Sequence, residues 1–306
     1  MNKQTKNQTL TKALAHFAPS RLGIMLLLTL LLPAVSSAQS EITHRVSAAQ
    51  MGYHGNVKFI QSSALCTDSA HRFFITKAEA YNSEGLRTEA STADMLYQQD
   101  EYYEYDGKGH LLNYVFKSGS RDSVVFHYDV DGCLNAFDEY FLSEDPTEGN
   151  SLTTNTVTCD DQCRVLKSIS VWEDTVTFSY DTLGRLVEKK LPTKTTITYH
   201  YDKQGRLERM HTTGENNPGT DDHFRYNDQG DTLEIWHTNW EHIEGETGAH
   251  EVGEHKHFAY SRYDEHGNWQ DAEVTVRVSL GRPRPSAPPA YRYYKYRIIR
   301  TFSYYD

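Results

Sequence analysis

Apolar and polar positions alternate in short runs along most of the chain. Val176, Phe178 and Tyr180 are separated by Thr177 and Ser179; Ile197, Tyr199 and Tyr201 by Thr198 and His200; and Val124, Phe126 and Tyr128 follow the same rhythm. Period two in β-branched and aromatic residues predicts half-buried β-strands. Each run stops at Asp or Asn, a Gly follows three positions later, and a Leu then resumes the apolar phase. The glycine slots are positions 85, 109, 132, 163, 184, 205, 230 and 267, and Asp or Asn stands three residues before every one of them. The shortest spacing is 21 residues, between 163 and 184 and again between 184 and 205. A fixed period of this kind is the mark of a repeat architecture.

The chemistry of the slot residues predicts a β-hairpin per repeat. Asp106, Asp129, Asp181, Asp202 and Asp264 are placed to open type I turns, because an Asp side chain accepts the backbone N–H two residues on. Gly109, Gly132, Gly184, Gly205, Gly230 and Gly267 are placed to take the left-handed conformation that ends such a turn in a bulge. One repeat is odd. Cys159-Asp160…Cys163 puts cysteines in the aromatic and glycine slots, and a Cβ at Cys163 is expected to strain the turn.

Two copies spell Phe178-Ser-Tyr180-Asp181-Thr-Leu-Gly184-Arg185-Leu186 and Tyr199-His-Tyr201-Asp202-Lys-Gln-Gly205-Arg206-Leu207. With the looser copies at Tyr105-Asp106, Tyr128-Asp129 and Tyr226-Asn227, this resembles the YD-repeat (Rhs) family over roughly residues 80–270. Tyr263-Asp264-Glu-His-Gly267-Asn268-Trp269 is similar to the terminal repeat of small exported bacterial members, and Arg297–Tyr305 fits the aromatic closing strand that follows it there. The resemblance implies a scaffold and no single activity. In large relatives such hairpins wind into a hollow shell. Here the repeats are too few to enclose a toxin, and the one Asp-Pro pair, Asp145-Pro146, lies mid-chain, so a self-cleaving toxin core is not expected.

The expected fold class is all-β: an antiparallel meander of repeated hairpins, on the order of 16 strands, since each hairpin contributes two. A sheet that wide curls or closes. The expectation is a partial barrel or shell, with a long curved sheet as the alternative. Residues 39–80 are assigned to a capping segment and the first strands, 81–270 to the repeats, 281–290 to a Pro-rich loop (GRPRPSAPPA) and 291–306 to a closing strand. The cations of that last stretch, Arg292, Lys295, Arg297 and Arg300, are expected to lie against an acidic body.

Residues 1–38 read as a signal peptide. Lys3, Lys6, Lys12 and Arg21 precede an apolar run, Leu22–Leu32, and small residues at Ser36 and Ala38 suit cleavage after Ala38. The protein is therefore expected outside the cytoplasm, in the periplasm, on the surface or secreted, and to meet a membrane only through an uncleaved signal. The whole chain carries 42 acidic and 31 basic side chains for a net charge of −11. Such a body repels phosphate backbones, which excludes nucleic acid as a partner. Its four cysteines suit an oxidising compartment, and Cys159 and Cys163, flanking one turn, are the candidate pair.

Candidate chemistry concentrates at residues 236–257. Trp236 and Trp240 are the candidate binding residues, and they adjoin the insertion Glu241–His257, rich in Glu and His. His255 and His257 alternate, so on a strand they share a face and are the candidate metal ligands. His250 and His255 are five apart, with Gly253 between, so the helical HExxH motif is not met. No catalytic residue is assigned and no cofactor is expected. The leading reading is an exported, non-enzymatic scaffold binding an unknown protein or glycan at the cell envelope. The alternatives are a secreted metal-dependent hydrolase using residues 237–257, and a carrier or shell for another exported protein.

Overall fold

A computed structural model describes residues 47–306 apart from 67, 69–72, 95–96, 119, 143–149, 173, 216, 243–248 and 280–289. The signal segment, Asp145-Pro146, the middle of the His-rich insertion and nearly all of the Pro-rich loop lie outside the described residues. Among the described residues there are eighteen strands. The first six are β1 (Val57–Cys66), β2 (Phe73–Tyr81), β3 (Arg87–Ala93), β4 (Gln98–Tyr105), β5 (Leu111–Ser118) and β6 (Ser120–Tyr128). Then come β7 (Leu134–Leu142), β8 (Ser151–Cys159), β9 (Val165–Ser170), β10 (Thr175–Tyr180), β11 (Leu186–Lys190) and β12 (Thr196–Tyr201). The last are β13 (Leu207–Gly214), β14 (Asn217–Tyr226), β15 (Thr232–His242), β16 (Ala249–Tyr263), β17 (Trp269–Ser279) and β18 (Tyr291–Tyr304).

Each strand pairs antiparallel with the next, and β18 pairs with β1 from Val57↔Tyr304 to Leu65↔Arg297. The sheet is therefore a closed up-and-down barrel, not an open one. The repeat hairpins account for β2–β17, and β1 and β18 supply the two strands beyond the expected sixteen or so. These two strands satisfy the last edge amides and carbonyls, which a curved open sheet would leave bare.

All the repeat turns fall on one rim, and they are built alike. The slot residue has φ between 75° and 92° at the glycines. Its N–H donates to the carbonyl of the Asp or Asn at 2.9–3.1 Å, and that residue's own N–H donates to the carbonyl one past the slot at 2.8–2.9 Å. The Asp or Asn Oδ1 accepts two further N–H groups; in one turn Asp202 takes those of Gln204 and Arg206, both at 2.9 Å. Four of the five amides of that turn, all but that of Lys203, thus have a partner within the turn.

Successive turns are tied to one another by a second set of contacts. The Tyr before the Asp reaches back to the preceding repeat: Tyr180 OH donates to Val165 O at 2.8 Å, Tyr201 OH to Leu186 O at 2.7 Å and Tyr226 OH to Leu207 O at 2.8 Å. The residue after the slot reaches forward. Arg185 lies over the Tyr201 ring at 4.6 Å and Arg206 over Tyr226 at 4.6 Å, while each also bonds its own turn's Asp Oδ2 at 2.7 Å. His110 does the same, bonding Asp106 and stacking on Tyr128. Leu111, Leu134, Leu186 and Leu207 cluster with the neighbouring rings, and Leu111 and Leu186 have no exposure at all.

The odd repeat uses the same plan with sulfur. Cys159 stands in the Tyr position, and its Sγ lies 3.3 Å from Leu134 O. Cys133 stands in the Arg position and Cys163 in the next glycine slot, and these two form the disulfide. The expected Cys159–Cys163 pair is therefore corrected. The forward-reaching position of one turn meets the slot of the next, whereas Cys159 faces back along the ladder. Cys163 keeps the left-handed turn at φ 59°.

Residues 47–56 lie across the turn rim. Ser47 bridges to Leu86, Asn268 holds both the N–H and the carbonyl of His54, and Met51 and Tyr53 are buried. The buried face of the barrel is apolar near this rim, where Tyr103, Leu111, Phe126, Leu134, Phe178 and Tyr199 belong to one cluster.

Two outcomes check this ladder. Cys133→Ser should lower stability by roughly 2–4 kcal/mol, the usual worth of a bridge across a loop of this size, with Cys159→Ser costing far less; the reverse order in thermal melts would contradict the pairing. Gly205→Ala has space for its Cβ, with Arg185 Nη1 at 3.6 Å, so the cost should come from the left-handed backbone alone, about 1–2 kcal/mol. Denaturant unfolding of the variant measures it.

A candidate binding site on the outer wall

Alternation sends one side chain in two outward. On β14–β16 the inward positions are Asp222, Ile235, His237 and Lys256, and the outward ones are His223, Trp236, His255 and His257. His237 thus leaves the candidate cluster: its Nδ1 lies 2.6 Å from Asp222 Oδ1 inside the barrel. There Glu254 pairs with Lys256 at 2.7 Å and accepts from Tyr294 OH at 2.9 Å. Burial lowers the Lys256 pKa, and Glu254 opposes that shift.

Outside, strand register assembles a row that the sequence does not display. His200 pairs with Arg209, Arg209 with His223, His223 with Trp236, Trp236 with His255, His255 with Arg277 and Arg277 with Tyr293. These residues sit side by side on β12–β18. At about 4.8 Å per strand the row runs about 29 Å across the wall. The His255 ring lies flat on Trp236, with centroids 4.8 Å apart and planes 8° from parallel. Arg225 approaches the indole at 5.9 Å, and Tyr293 is 61% exposed. Arg209 is paired with Asp221 at 2.6 Å, in the adjoining register row.

Of the residues anticipated for this region, the structure joins Trp236 to His255. His257 shares their face one register step away, opposite Glu234. Only the strand position of Trp240 is described, opposite Glu251 on β16. Among the described residues no group of three or more His, Cys, Asp or Glu is arranged to hold a metal ion. His200, Arg209, His223, Arg277 and Tyr293 were not anticipated. Within one hairpin the slot glycine fixes the register, so His200↔Arg209 and His223↔Trp236 are readable by counting from Gly205 and Gly230. The other joins depend on loops of variable length.

A family model described as Teneurin YD-shell matches residues 69–239. No curated protein matches the chain. Among solved structures the chain is similar to a porin-like protein from Bacteroides uniformis, at 14% identity and a TM-score of 0.41, over 81% of this chain and 98% of that one. It is also similar to the TcdB2-TccC3-Cdc42 structure, at 10% identity and a TM-score of 0.29, over 76% of this chain and 17% of that one.

His255, the titratable member of the stacked pair, is shifted in a readable direction. Burial, then the charges of Arg277 and His257, push the His255 pKa below 6.5, against the pull of Glu234. The unfolded chain therefore protonates at His255 before the folded one. The contribution is full above pH 6.5 and is lost as pH falls through it. His255→Gln should flatten the stability decline between about pH 7 and 5, as read from denaturant midpoints; an unchanged slope would contradict the environment described.

Proposed function

This chain belongs to the Teneurin YD-shell family, and on that premise we propose that it is an exported, non-enzymatic scaffold whose outer row binds an acidic glycan. The observation that carries this reading is the row itself. A chain of net charge −11 gathers His200, Arg209, His223, Trp236, His255 and Arg277 in one line, with Asp221, paired to Arg209, and Glu234 in the adjoining row. Aromatic faces pack on sugar C–H groups, and Arg and His donate to uronate or sulfate oxygens. The length of the row suits an extended chain.

Three further features support the reading. The Cys133–Cys163 disulfide suits an oxidising compartment, as does the signal-like N-terminus. Charged pairs stand on the outer wall at mid-strand, Lys295 with Glu273 at 2.6 Å and Arg297 with Asp271, and a lipid-facing band does not tolerate such groups. The carboxylates and histidine inside, Asp222, His237 and Glu254, are engaged with one another or with Lys256 and Tyr294, as a structural network requires.

A glycan array tests the proposal. Uronate-bearing and sulfated glycans should bind and neutral ones should not, and binding should weaken as salt is raised. Trp236→Ala should cost about tenfold or more in affinity, some 1.4 kcal/mol. A flat array, or equal binding of neutral glycans, would overturn the reading.

A further inference from the structure

Between the N-terminal segment and the inner wall of β15–β18 lies a cavity of about 220 Å³. Its wall is mixed: Phe258, Tyr260, Trp269 and Phe302 from the barrel and Tyr53 from the cap supply aromatic rings beside polar groups such as Asp231 and Asn268. Set into it is Arg300, 4% exposed, with its guanidinium 3.6 Å from the Trp269 ring centroid and 5.5 Å from that of Tyr53.

This arginine has aromatic faces but, among the described residues, no carboxylate within ion-pair distance; Glu79 attracts it only from farther off. Its Nε is buried and has no hydrogen-bond partner among the described residues. The carboxylates on this side are already taken. Glu79 is held by Lys77 at 3.0 Å and Arg87 at 3.2 Å, and Glu101 by Arg87 at 3.5 Å. Burial alone would raise the Glu79 pKa, but Lys77 and Arg87, with a smaller pull from Arg300, outweigh it and hold it at about 2. Asp231, at the cavity edge, accepts from Tyr263 OH at 2.9 Å and Asn227 Nδ2 at 3.2 Å. A buried cation left this way is costly unless something completes it.

We propose that this cavity binds a small monocarboxylate with an apolar body. The carboxylate takes the in-plane edge of Arg300, which the two aromatic faces leave as its open direction. The apolar body packs on Phe258, Tyr260 and Phe302. A volume near 220 Å³ is small for a ligand site, so the ligand is of the size of benzoate or a short branched acid. The site is separate from the outer row and stands or falls without it.

The test uses the full chain with benzoate and isovalerate as probes, and benzamide and isovaleramide as their neutral isosteres. The acids should raise the melting temperature saturably and perturb tryptophan fluorescence through Trp269; the amides should do neither. Arg300→Met should weaken benzoate by at least about tenfold, and Arg300→Lys should retain part of the affinity. Gln229→Trp, which fills the cavity from a rim turn and leaves β18 untouched, should block binding even if Arg300→Met does not fold. Equal effects of acid and amide, no response to either acid at millimolar concentration, or unchanged binding in Gln229→Trp would overturn the proposal.

Discussion

The left-handed residue that ends each repeat turn is the constraint from which the rest of the barrel follows. It lets a chain reverse with one bulge, so that the Tyr before the Asp and the Leu after the slot face the same way. A turn of another type would shift one strand by a residue and send its aromatic stripe to solvent. Because all eight turns share this geometry on one rim, neighbouring turns present the same groups to each other at the same height. The Tyr hydroxyl, the carbonyl two past the preceding slot and the Arg or His one past the slot then interlock without any element reaching across the barrel.

This local rule explains how one position can change chemistry without breaking the fold. Cys133 and Cys163 occupy the two places where Arg164 and Gly184, or Arg185 and Gly205, approach in later repeats. A covalent link replaces a stacking contact, and Cys163 tolerates the left-handed backbone that its neighbours leave to glycine. The last hairpin varies in another direction. Asn268 stands where Arg stands elsewhere, and it holds the cap through His54 and also donates to Tyr304 OH at 2.9 Å. The rim ladder thereby ends in a lid.

Much of the fold was legible because its determinants are local. Strand phase, turn sites and the family could be read from Tyr-Asp-x-x-Gly-x-Leu, since Asp and Gly act within five residues. A rolled sheet and a closing strand at 291–306 were legible too, but complete closure against an open curved sheet was not, because β1 carries no repeat signal and meets β18 across the whole chain. The cysteine pairing was missed because spacing suggests a bond within a turn, while the ladder brings together residues of adjacent turns. The binding row was half legible: Trp236 and His255 stood out by composition, but their alignment with Arg209 and Arg277 needs the register across loops. The cations of the last strand split by alternation. Lys295 and Arg297 meet acids outside, and Arg300 turns inward, where the nearby carboxylates, Glu79 and Asp231, are bonded to other groups.

Closure of the ring by β1 and β18 is what makes this a barrel and gives the cap a mouth to cover. Amide hydrogen exchange on these two strands tests it most directly. Closure predicts that the amides of Ser62, Ala64, Ile298 and Arg300 are protected as strongly as those of Val274 and Val276 in β17. Fast exchange along the β1–β18 seam, of the kind that frayed edge strands give, with protection retained elsewhere, would contradict it.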